Sequence, residues 1–213
     1  GFRKIPKGIM HVSLLPKLVQ EANHAVFDAG NASPGAPGYV DPGGNIIPNA
    51  GHMATTLVLC ALRFDSAVVS HVGDSRCYMF RNGNLAPLTH DHTMVDEQVR
   101  MGIISKADAA THANRHILTR SLGSEMFVAA DTITVNVVPG DVLMLCSDGL
   151  HGYVPDPAIQ WMLNYTPDLD EAAAALVAAA NAAGGHDNVS VQLVRVRAVE
   201  RMGLYRGRPY RLL

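Results

Sequence analysis

Apolar residues recur near every 3.6 positions from Leu14 to Ala29 (Leu14, Leu15, Leu18, Val19, Ala22, Val26, Ala29), and Gly30 follows. This spacing predicts a helix over 14–29. Residues 31–51 are rich in Gly, Pro and Asn and read as a long loop. From Thr55 the pattern changes to β-branched and apolar runs at Thr55–Phe64, Ser66–Val72, Arg76–Arg81 and Leu85–Leu88. Asn82-Gly83 between the last two is a two-residue hairpin signal. Short connections between such strands imply antiparallel pairing.

Residues 93–123 turn helical and irregular, with an apolar stripe at Met94, Val95, Val99 and Ile103-Ile104, as in an excursion over a sheet edge. Strands are expected again at Met126–Val138 and Asp141–Cys146, helices at 156–164 and 169–182, and a last strand at Asn188–Val196. Consecutive strands with helices clustered before and after them predict an α+β fold, sheet on sheet with helices outside. No repeat and no interdomain linker interrupts it.

Composition narrows the function classes. Lys+Arg number 17 against 19 Asp+Glu, a net charge of −2, which argues against a nucleic-acid-binding domain. No apolar run reaches the ~20 residues of a membrane-spanning helix. The charge is unevenly placed: residues 194–213 hold six Arg and one Glu (+5), leaving 1–193 at −7. The basic segment reads as a solvated C-terminal tail (197–213) after a body at 1–196. The basic start at Gly1 lacks the apolar stretch of a signal peptide. Cys60, Cys77 and Cys146 lie inside apolar runs without metal spacing and read as buried thiols of a reduced, cytoplasmic protein.

Three aspartates sit where an apolar strand meets a turn: Asp74 after Ala67–Gly73, Asp148 after Val142–Ser147, and Asp187 before the last strand. Carboxylates at strand ends are held rigidly, and flanking glycines let a ligand approach the backbone. Converging carboxylates would favour a hard cation such as Mg²⁺ or Mn²⁺. Each is also an ordinary turn residue, and one sequence does not show that the three meet. His186 could orient Asp187, and Arg115 and Arg120 could meet phosphate or enter salt bridges. The other histidines, including His90 and His92, read mostly as surface or flap residues.

In order along the chain stand Gly73-Asp74-Ser75-Arg76, Leu88-Thr89-His90-Asp91-His92, Leu145-Cys146-Ser147-Asp148-Gly149-Leu150 and Gly185-His186-Asp187-Asn188-Val189-Ser190. Together with Thr55-Thr56 and Leu118–Gly123, this resembles the metal-dependent (type 2C, PPM) serine/threonine protein phosphatases, particularly the compact bacterial ones, over roughly residues 14–196. The resemblance implies a four-layer αββα sandwich with a centre of two or three Mg²⁺ or Mn²⁺ ions and water-driven hydrolysis of phosphoserine or phosphothreonine. Asp148 and Asp187 match ligands of the first metal, and Asp74 shares a weaker third metal with Asp148. Gly149, His186 and Asn188 lie beside these ligands, and residues 93–118 match a substrate-selecting flap. A phosphorylated protein, opposed by a serine/threonine kinase, is the implied partner.

The resemblance also predicts an Asp-Gly-x-Gly-Gly segment before the first helix. No Asp or Glu precedes Glu21, so the N-terminal strands and the bridging carboxylate are expected to be missing. With part of the donor set, weak metal binding and impaired turnover are expected. Two readings stay open: an enzyme whose complete form includes upstream sequence, and a catalytically inactive pseudophosphatase that binds a phosphoprotein or partner.

Overall fold

The structure, a computed structural model, describes residues 11–31, 39–40, 46–47, 53–199, 202–205 and 208–211. In chain order the first elements are α1 (His11–Asn31), β1 (Tyr39–Val40), β2 (Ile46–Ile47), β3 (Leu57–Arg63), β4 (Ser66–Val72), β5 (Arg76–Arg81) and β6 (Asn84–Pro87). Then come α2 (Met94–Arg100), α3 (Lys106–Thr111), β7 (Asp131–Asn136), β8 (Val142–Cys146), α4 (Asp148–His151), α5 (Asp156–Tyr165) and α6 (Leu169–Ala182). The chain continues with β9 (Val191–Arg195), β10 (Met202–Tyr205) and β11 (Arg208–Arg211).

Two antiparallel sheets form the centre, one in the order β3-β4-β7 and the other β6-β5-β8-β9. Alternation along the strands sends side chains to both faces, and both faces are covered. Val19 of α1 packs with Val72 and Leu122 over the first sheet. Ala67, Met79, Val137 and Leu143 fill the space between the sheets. Tyr78, Met144 and Cys146 pack against Leu150, Ile159 and Leu176 of α4, α5 and α6. The layers are therefore helix, sheet, sheet and helices, the α+β sandwich expected from the sequence. Strands buried on both faces read as near-continuous apolar runs, which is why β4 and β8 lack a polar face.

Strands β4 and β5 and helix α6 have the expected bounds. Asn82 and Gly83, both at positive φ, make the β5–β6 hairpin turn. The excursion after β6 contains α2 and α3, and its ends meet at the Thr93–Leu118 bridge. The expected loop over 31–51 and the basic start fall largely outside the described residues.

Four expectations are corrected. The strand expected at 126–138 begins only at Asp131. The carbonyls before it are taken by α1 side chains: Asn23 Nδ2 donates to Glu125 O (2.9 Å) and Met126 O (3.0 Å), and Gln20 donates to Val128 O. With these partners the stretch needs no neighbouring strand. The last strand begins at Val191, because Ser190 and Asn188 bond the Ser147 hydroxyl instead. Helix α4 follows β8 at once, an element too short for periodicity to reveal. Finally, the basic tail contains paired strands, Met202–Tyr205 against Arg208–Arg211, separated in sequence by Arg206-Gly207.

Candidate active site

Strand register explains why the three aspartates converge. Arg76 of β5 pairs with Cys146 of β8, and Cys146 pairs with Val191 of β9. Asp74 lies two residues before Arg76, Asp148 two after Cys146, and Asp187 four before Val191. All three chain segments therefore leave the sheet at one edge. Asp74, Asp148 and Asp187 line a single cavity of about 470 Å³ there, between the sheet edge and the α2–α3 excursion.

The loops carrying them are joined. Ser147 N–H donates to Ser190 O (3.1 Å), Ser190 N–H donates to Ser147 Oγ (3.0 Å), and Ser147 Oγ donates to Asn188 O (3.2 Å). Gly149 sits directly against the Asn188 carbonyl, where a Cβ would overlap the oxygen. The Asp187 carboxylate accepts the Asn188 N–H at 2.7 Å. His151, three residues after Asp148, donates from Nε2 to the Asp74 backbone carbonyl at 2.9 Å. Burial holds the His151 ring below its ordinary pKa, so it is neutral at pH 7.

Three other aspartates are closed by arginine. Asp91 has Arg76 (2.7 Å), Asp141 has Arg81 (2.7 Å) and Asp131 has Arg120 (2.8 Å). Asp74, Asp148 and Asp187 take part in no ion pair among the described residues. Burial, and next the Asp148 charge, push Asp74 up to about 6. Carboxylates without ion-pair partners lining one cavity offer oxygen donors that suit a hard divalent cation. Mg²⁺ or Mn²⁺ fits this donor set.

Other candidates lie elsewhere. Arg115 lines the cavity, whereas Arg120 is engaged with Asp131 and the Ala129 carbonyl. The His186 ring is exposed and leans on Tyr153, 6.2 Å between centroids, with no bond to Asp187. The three thiols are free, and burial raises all of them, Cys60 to about 11. Tyr78 links Arg76 to Asp156 beneath the cavity through hydrogen bonds of 2.8 and 3.0 Å.

Sequence reading missed the buried histidines. His71, His92 and Asp131 place possible ligand atoms within 4.8 Å of one another. Their hydrogen bonds argue for a different role. His92 Nδ1 accepts the Gly73 N–H (3.1 Å), which leaves the ring proton on Nε2, 3.3 Å from Asp131. A protonated nitrogen does not ligate a metal. The two rings are also stacked, 4.6 Å apart at 27°, so their in-plane lone pairs run side by side instead of converging. Burial, and next Arg120, lower His92 to about 4. The His92 backbone N–H also donates to the Gly73 carbonyl (3.0 Å), so His92 holds Gly73, the residue before Asp74, by both its N–H and its carbonyl. The Gly73…His92 and Asp74…His151 pairings have no periodicity a sequence could display.

Comparisons with known proteins agree with this geometry. Residues 46–189 match the model of the family described as Protein phosphatase 2C. The serine/threonine phosphatase stp of Listeria welshimeri is 43% identical over 142 residues, 67% of this chain and 56% of that protein. Protein phosphatase PhpP of Streptococcus pneumoniae is 35% identical over 142 residues, 67% of this chain and 58% of that protein. The chain thus spans a little over half the length of these relatives. The crystal structure of Staphylococcus aureus Stp1 has a TM-score of 0.80 at 25% identity, covering 92% of this chain and 73% of that one. The catalytic domain of the phosphatase PstP, solved in complex with 2 manganese ions, has a TM-score of 0.74 at 28% identity, covering 91% and 74%. By its sequence over residues 46–189, the chain belongs to the protein phosphatase 2C family.

Proposed function

We propose that this chain carries part of a metal-dependent protein serine/threonine phosphatase site and acts on phosphoserine or phosphothreonine in proteins. The observation that carries this reading is the convergence of Asp74, Asp148 and Asp187, all without arginine partners, on one cavity. Asp148 and Asp187 would hold one Mg²⁺ or Mn²⁺, and Asp74 would share Asp148 in holding a weaker one. Bound ions would supply positive charge for the phosphoryl oxygens and acidify a water for attack.

The chain's own residues bind and orient. Gly149 and Asn188 bring the Asp148 and Asp187 loops together. Arg115 lines the cavity from the 93–118 segment, where a guanidinium matches phosphate oxygens. That segment would act as the flap that selects the phosphorylated substrate, delivered by an opposing serine/threonine kinase. Three free thiols support a cytoplasmic setting, and no described helix is long and apolar enough to cross a membrane.

Three carboxylates are a sparse donor set for hard cations, so this chain alone is expected to hold metal weakly and turn over slowly. The test is hydrolysis of a phosphothreonine peptide with Mn²⁺, with and without chelator. Slow manganese-dependent release of phosphate, lost in Asp148→Ala, is the expected result. Metal-independent release, or release that survives Asp148→Ala, contradicts the proposal. Peptide binding without any turnover would favour the pseudophosphatase reading.

A further inference from the structure

We propose that His151 is a positioning residue that ties Asp74 to Asp148 and sets the spacing at which the two carboxylates share a cation. This rests on the metal-site reading above. Asp148 opens α4 and His151 closes the same single turn, so positions three apart lie on one side of it. The His151 Nε2 is 2.9 Å from the backbone carbonyl of Asp74, 77 residues away in sequence. The acceptor is a carbonyl, so that nitrogen carries the proton and donates. One helical turn thereby holds one carboxylate at its first residue and the main chain of another through its last.

The opposite side of Asp74 is fixed as well. His92 Nδ1 accepts the Gly73 N–H at 3.1 Å, and the His92 N–H donates to the Gly73 carbonyl at 3.0 Å. With the peptide units on both sides of Asp74 held, its carboxylate is left facing the cavity that His151 also lines. Asp74 and Asp148 repel one another without a cation, so a tether is needed to keep the pair assembled before metal arrives. Imidazole supplies that tether as a donor without placing a fixed positive charge beside a cation site, as Lys or Arg would. No motif assigned a role to His151.

Mn²⁺ binding to the 213-residue chain, followed by the electron paramagnetic resonance signal of the free ion, tests this without reference to activity. His151→Leu, which keeps volume but no donor, and His151→Ala are each expected to weaken binding about tenfold. His151→Gln, whose amide N–H reaches the same carbonyl, is expected to stay within about threefold of wild type. In an Asp74→Ala background His151→Leu should add no further loss, because the histidine acts through Asp74. Unchanged affinity in His151→Leu overturns the proposal, as does an equal loss in the Asp74→Ala background or a glutamine variant as weak as leucine. Thermal unfolding of each variant separates loss of fold from loss of metal. A wild-type chain that takes up no Mn²⁺ overturns the metal-site reading itself, a different result from normal binding that ignores His151.

Discussion

Asp91 is closed by Arg76 in a two-point ion pair, while Asp74, lining the same cavity, has no ion-pair partner among the described residues. Its folded pKa of about 6 lies above the ordinary 3.8, so ionisation opposes folding. The stability it contributes is fully present below about 3.8 and is lost as pH rises through about 6. In chelator at pH 7, Asp74→Asn is therefore expected to stabilise the chain by about 1 kcal/mol, solvent at the cavity mouth screening the remainder, as read by thermal unfolding. His92 acts in the opposite sense. Its folded pKa of about 4 lies below 6.5, so its contribution is complete above 6.5 and is lost as pH falls through about 4. Over that window one extra proton on the unfolded chain gives a slope of about 1.4 kcal/mol per pH unit, which urea unfolding should show reduced in His92→Asn. The aspartates were legible in the sequence because a carboxylate at the end of an apolar run stands out. His92 and His151 were not, because each takes its meaning from a backbone group on a distant segment.

Helix α4 does more to build the site than its four residues suggest. Ser147 before it bonds the 188–190 segment, Gly149 admits the Asn188 carbonyl, Leu150 is fully buried in the core, and His151 reaches Asp74. A methyl at position 149 would force the Asp148 and Asp187 loops apart. Gly149→Ala is thus expected to cost roughly 1–3 kcal/mol and to weaken Mn²⁺ binding. Unfolding and metal titration of that variant check both effects, and wild-type values in each would show that the loops tolerate separation. The long elements were legible: apolar runs gave β4, β5 and β8, and the alanine-rich stretch 169–182 gave α6, which Asp168 caps in the structure. Helix α4 is too short for a period, and residues 126–130 resemble a strand only until Gln20 and Asn23 of α1 are seen to take carbonyls of this stretch.

At the scale of the whole molecule, two sheets between helical layers bring three separate strand ends to one edge, and the site exists only through that register. Residues 1–193 carry a net charge of −7, and at least part of that excess is concentrated as unpaired carboxylates at this edge. The cluster of His71, His92 and Asp131 is the competing place for a metal ion. Manganese binding at neutral pH to wild type, Asp148→Ala and Asp131→Ala decides between them. The account predicts wild-type dissociation constants on the order of 10⁻⁴–10⁻³ M, binding lost in Asp148→Ala and kept in Asp131→Ala. Binding that survives Asp148→Ala and disappears in Asp131→Ala would contradict it.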